Sequence, residues 1–164
     1  MRRRTLLAVG SLAAVVGLAL LVAALAGPIK AAIGQALLDR AWESARERGA
    51  PVRPWGWADM QAVARLSVPR LGLSAVVVGG PGEAGMAWGP QHVAGTAAPG
   101  APGLSAIAGH RDTHMAPLAR LAPGDTVSVE TPAGRTDYIV EGAQVVNNRR
   151  WRLSRQRDGP PALA

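Results

Sequence analysis

Three regimes of apolar and polar positions succeed one another along this chain. Residues 5–27 are 23 successive positions without a charged side chain, mostly Leu, Ala and Val. At about 1.5 Å per residue such a helix reaches roughly 34 Å, enough to cross a bilayer core with some tilt. Residues 28–48 switch to an amphipathic rhythm. Ile33, Leu37, Leu38, Trp42 and Ala45 recur at helical spacing, while Asp39, Arg40, Glu43, Arg46, Glu47 and Arg48 take the other side. This predicts a stalk helix that packs on its own domain or a neighbour, ended by Gly49-Ala50-Pro51. A membrane-surface helix fits less well, because the polar face mixes both signs.

From residue 64 the period becomes strand-like. Runs 64–68 and 74–78 are β-rich and joined through Pro69-Arg70-Leu71-Gly72. Residues 79–103 are rich in Gly, Pro and Ala, with one helical turn expected over 83–88. A third strand is expected at 104–108, a short helix at 115–121 and a turn at Pro123-Gly124-Asp125. Runs 126–130 and 135–140 alternate around Thr131-Pro132-Ala133-Gly134, the pattern of a hairpin, and 142–146 extends or succeeds its second arm. Many short strands with Gly/Pro-rich turns predict an all-β barrel or sandwich. The expected division is 1–27 as basic N-terminus and transmembrane anchor, 28–53 as stalk and linker, and 54–164 as the β-domain.

The basic triplet Arg2-Arg3-Arg4 before the apolar run sets the N-terminus in the cytoplasm and exports the chain beyond residue 27. A cleaved signal peptide is the competing reading, since Ala24-Leu25-Ala26 has small-x-small character, but signal h-regions run only about 7–15 residues. The net charge of +7 suggests nucleic acid at first sight. Seventeen arginines against one lysine, with high Ala, Gly and Pro, match GC-rich codon usage better, and most of the arginines are scattered. A nucleic-acid footprint needs clustering on one face, so no such partner is expected. The chain contains no cysteine, so an exported domain has no disulfide to hold it.

Candidate chemistry concentrates in residues 104–114, where a short apolar run ends in Gly109 and His110 comes next. A neutral imidazole fixed at a strand end can take or give a proton near neutral pH. With no partner legible, a surface or structural role for His110 is the alternative. His110, Asp112 and His114, with His92, would suit zinc, but their spacing shares one face only in a strand, and residues 111–113 read as a loop. Asp112 can instead orient a histidine or pair with Arg111. There is no G-x-S-x-G elbow, and Ser105 lies within the expected strand. No cofactor or metal is therefore expected. Trp55 and Trp57 in Pro54-Trp55-Gly56-Trp57-Ala58-Asp59 are expected to plug the linker onto the domain, with a binding platform as the alternative.

The order of elements resembles a sortase, and most of all the class GN type of Gram-negative bacteria. The resemblance runs from the anchor to about residue 146. It is carried by PWGWADMQAVARLSVPRLGL (54–73), AWGPQHVAGTAAPGAPG (87–103), AIAGHRDTH (106–114) and, less specifically, LAPGDTVSVETPAG (121–134). It implies a sortase-type β-barrel on the inner membrane, facing the periplasm. It also implies a cysteine transpeptidase that cleaves the sorting signal of a cell-surface protein and passes the acyl group to an amine acceptor. By its place in the AGH motif, His110 corresponds to the family's acid–base histidine. The family's cysteine ends a TLxTC-like strand beyond the hairpin, and its arginine lies later still. Neither can be carried over, and Arg152 and Arg155 come too early in the order of elements. Residues 160–164 read as the opening of the TLxTC-like strand, so the resemblance implies an incomplete, inactive barrel with open edges and poor stability in isolation. The alternatives are a membrane-tethered peptide-binding module without catalysis and, third, a zinc hydrolase.

Overall fold

A computed structural model of the chain describes residues 2–146 and 159–164. The chain divides into two compact units, Met1–Ala36 and Leu37–Ala164. Helix α1 (Arg2–Arg48) runs without a break and contains Pro28, so anchor and stalk are one helix where the pattern predicted two. Proline lacks one N–H and costs one helical hydrogen bond, but the Ala- and Leu-rich flanks continue the helix on both sides. Within the first unit Val15, Leu18, Leu20, Leu21, Val22, Leu25 and Ile29 are exposed. The described stretch Val15–Arg48 has the length and apolarity to cross a membrane, with a mean hydropathy of 2.1 over its most apolar window.

In the second unit the end of α1 packs on a curled sheet. Its strands are β1 (Gln61–Val68), β2 (Leu73–Gly79), β3 (Gln91–His92), β4 (Leu104–Ser105), β5 (Ile107–Ala108), β6 (Thr126–Thr131), β7 (Gly134–Ile139) and β8 (Ala162–Leu163). Six of them form one sheet in the order β5-β3-β2-β1-β6-β7, and β4 pairs with β8 beside it. The 115–121 and 83–88 helices are single 3₁₀ turns, Ala116–Arg120 and Ala84–Ala87. No strand forms at residues 142–146. The architecture is thus a β half-barrel plus one long helix, and the all-β expectation holds only beyond that helix.

The burial of β1 alternates strictly, yet Ala62 and Ala64 belong to different core clusters. A shift in register between them supplies the reason, because one extra residue in a strand turns later side chains to the other face. Ala62, Val76 and Val78 pack against Leu38, Ala41, Trp42 and Ala45 of the helix. Ala64, Leu66, Val68, Leu73, Val77, Val127 and Val129 fill the hollow of the half-barrel. Arg65 ties the two layers, reaching Asp39 at 2.7 Å and lying over the Trp42 ring at 5.9 Å. Arg46 meets Glu130 at 3.0 Å.

Candidate functional site

The expected strand at 104–108 is divided at Ala106, and the division builds the site. The Ala106 N–H donates to Thr96 Oγ1 at 3.2 Å, and its carbonyl accepts from Val93 N at 2.8 Å. The next two residues pair with β3, where Gln91 lies opposite Ala108 and His92 opposite Ile107. Gly109 ends the strand, and a Cβ there would stand 2.6 Å from Met115 Cγ and 3.5 Å from Pro90 Cα. A side chain there would force Met115 to shift, while Pro90 stays at ordinary contact distance. His110 comes next, at the mouth of β5, with its side chain exposed. Its carbonyl caps the adjoining loop, accepting from the N–H groups of Thr113 and Met115, each at 3.3 Å. Among the described residues its ring has no hydrogen-bond partner.

His92 has a different environment. It is half-buried, and its Nε2–H donates to the Ala97 carbonyl at 2.8 Å, with Thr96 Oγ1 at 3.1 Å. It pins the Gly/Pro-rich loop and is not poised for proton transfer to a ligand. Asp112 is exposed and His114 half-buried. Among the described residues no three His, Asp or Glu side chains gather around one point. Among the described residues, His92, His110, Asp112 and His114 thus do not converge on one point. Ser105 is fully buried with its hydroxyl unpartnered, so it is no nucleophile at the surface. The cluster Arg149, Arg150, Arg152, Arg155 and Arg157 lies outside the described residues.

Residues 160–164, expected to open a strand, contain β8. β8 runs parallel to β4, with Leu104 opposite Ala162 and Ser105 opposite Leu163. Ala164 N donates to Ser105 O at 2.9 Å, and Ile107 N donates to Ala164 O at 2.8 Å. The strand thus climbs beside the segment that ends in His110. Between β8 and β7 lies an open cleft of about 650 Å³. Leu66, Ile107, Leu118, Tyr138, Val140 and Leu163 give it an apolar wall. Tyr138 is a lining residue that the sequence pattern did not single out. Burial raises its phenol above the ordinary value, opposed by the Gly100 backbone, and among the described residues no group meets hydrogen-bonding geometry with its hydroxyl.

A bidentate ion pair holds the rim. Arg70, in the turn after β1, donates through Nε and Nη2 to the two carboxylate oxygens of Asp125, and through Nη2 to the Arg120 carbonyl at 2.6 Å. Asp125 also accepts from Ala122 N at 2.8 Å. The guanidinium, then the backbone N–H, lower the Asp125 carboxyl to about 2. This clamps the Pro123-Gly124-Asp125 turn to the β1–β2 turn at the same end of the sheet.

The family model for the sortase domain matches residues 66–164. The chain belongs to the sortase family. Among solved structures, a Clostridium perfringens sortase D5 transpeptidase superposes with a TM-score of 0.54 at 18% identity, over 68% of this chain and 73% of that one. That likeness supports the shared fold. The SrtF sortase of Corynebacterium diphtheriae matches at 31% identity over 54% of this chain and 46% of its own, with a TM-score of 0.47. Sortase E of Streptomyces avermitilis matches at 35% identity over 43% and 49%, with a TM-score of 0.38. This chain thus spans about half the length of the last two. No curated protein matches it. The sortase fold accounts for the curled sheet on which these residues sit.

Proposed function

We propose that the chain is a membrane-anchored sortase of the cysteine-transpeptidase type, with His110 as its acid–base residue. The class GN assignment rests on the four ordered motifs that carry the resemblance. The division into anchor (1–27), stalk (28–53) and catalytic domain (54–164) comes from the same order. The N-terminal apolar helix with Arg2, Arg3 and Arg4 before it supports a single-pass anchor in the inner membrane, with the β-domain on the periplasmic side. The substrates in this reading are a sorting-signal-bearing surface protein and an amine.

The observation that carries the reading is the parallel register of β8 on β4, beside the strand that ends in His110. In parallel pairing the offset between strands stays constant, so continuing the ladder brings level with His110 a residue roughly four places past Ala164. A thiol there would face the imidazole, which can take its proton and make it a nucleophile. These 164 residues hold no cysteine, so they do not themselves supply that thiol. That same fact favours the second reading, a tethered peptide-binding module.

The test uses the whole chain in detergent micelles with labelled histidines. A panel of sorting-signal peptides should shift the ring signals of His110, leave those of His92 in place and remain uncut. Shifts at His92 alone, or none with any peptide, would sink the assignment of the site.

A further inference from the structure

The sequence motif Pro54-Trp55-Gly56-Trp57-Ala58-Asp59 is only partly absorbed by the fold. Trp55 behaves as the expected plug, since it packs on the core with Trp88, the two rings meeting edge to face at 5.0 Å. Trp57 does not, because the turn closed by Ala58 N on the Trp55 carbonyl at 3.1 Å turns it outward and leaves it 85% exposed. The three tryptophans line one small cleft of about 170 Å³, together with Asp59 and Met60. Two glycines keep that cleft shaped. A Cβ on Gly80 would stand 2.6 Å from the Asp59 carbonyl, and one on Gly85 would stand 2.8 Å from Gln91 Oε1. Asp59 is exposed, and among the described residues its carboxylate makes no hydrogen bond or ion pair.

An exposed indole costs the protein apolar surface in water, and an unpaired carboxylate beside it leaves a local negative charge. Both are satisfied by one kind of guest. A cation over indole faces is attracted by the ring quadrupoles, and a carboxylate at the rim adds direct charge complementarity. The volume suits one ammonium head with a short alkyl stem and excludes a folded peptide.

The cleft shares β3 with the segment that leads to His110. Trp88 stands two residues before Pro90, and Pro90 lies against Gly109, the neighbour of His110. Gln91, which lines the cleft, pairs with Ala108, two residues before the histidine.

The geometry points to a subsite for a primary alkylammonium group, formed by Trp55, Trp57, Trp88 and Asp59, that receives the amine-bearing second substrate. The role as acceptor site rests on the sortase reading above; the binding of the cation does not.

The experiment titrates the full chain in detergent micelles and tracks the indole N–H signals. The probe is N-acetyl-lysine amide, with its ε-acetylated form as the neutral control. The charged probe should shift the signals of Trp55, Trp57 and Trp88, and the neutral one should not. Asp59→Asn and Trp57→Ala should each weaken binding by roughly tenfold, a loss expected for a rim charge or one cation–π face. Glu141→Gln, on the other cleft, should leave it unchanged. Equal binding of the neutral form, or indifference to Asp59→Asn, overturns the site. Phosphocholine binding more tightly than the lysine probe overturns the acceptor role in favour of a lipid headgroup. The sorting-signal peptides are read separately at His110. Silence there with a normal lysine response rejects the sortase reading and leaves the cation site, whereas the reverse pattern rejects the cation site alone.

Discussion

Replacing Trp42 with alanine tests how the end of α1 is joined to the half-barrel. The side chain is 1% exposed and sits among Leu38, Ala41, Ala45, Ala58, Met60 and Val78. A tryptophan buries on the order of 200 Å², which at about 25 cal/mol per Å² gives roughly 5 kcal/mol. Extended-chain areas overstate burial by about 10–40%, so roughly 3–4 kcal/mol is the transfer part. Loss of the Arg65 contact, at 5.9 Å from the ring, adds up to about 1 kcal/mol. The expected cost is therefore about 3–5 kcal/mol, the range known for such truncations and a large share of the roughly 5–15 kcal/mol that holds a domain. Trp57→Ala is the matched control. It removes the same atoms from an 85% exposed position, and should change stability by no more than about 0.5 kcal/mol. Urea unfolding of the full chain in detergent micelles, read by near-ultraviolet circular dichroism, measures both. Equal midpoints for the two variants, or a Trp42→Ala cost below about 1 kcal/mol, would refute the packing assigned to this helix.

The Arg70–Asp125 clamp gives a signed pH dependence. Since the folded Asp125 carboxyl is lowered to about 2, its stabilisation is complete above the ordinary value near 3.8 and is lost as pH falls through about 2. Urea midpoints of the chain and of Asp125→Asn should therefore differ at pH 5 and converge towards pH 2; a constant gap would argue against the ion pair. Gly109→Ala sets a Cβ 2.6 Å from Met115 Cγ and should cost about 1–3 kcal/mol, with Met115→Ala recovering part of it; an additive double variant would contradict the close approach. An alkaline carbonate wash should leave the chain in the membrane pellet, and release into the supernatant would reject the anchor.

Much of this fold was legible from period alone. β1, β6 and β7 carry alternation and β2 is a β-branched run, so each was found within a few residues of its observed ends. The break at Ala106 was not, because it depends on a hydroxyl ten residues away: Thr96 takes the N–H that would have continued the ladder. The continuity of α1 through Pro28 ran against a local rule that its flanking residues outweigh. His110 was visible through the glycine before it, whereas the separate duty of His92 rests on the Ala97 carbonyl brought to it by loop folding. The parting of Trp55 from Trp57 is equally tertiary, since the two indoles have the same composition and opposite burial. Family resemblance supplied the order of elements, whereas the parallel β4–β8 pairing is a long-range contact that the last five residues do not encode locally.

The most direct measurement of the central claim continues β8. The chain is extended past Ala164 by three β-branched residues and a cysteine, which the register sets level with His110. Its added cysteine is then titrated with iodoacetamide in membranes across pH. The account predicts a thiolate that reacts readily at neutral pH, with the rate falling roughly tenfold in His110→Ala. A thiol that reacts equally fast with and without His110 would contradict it.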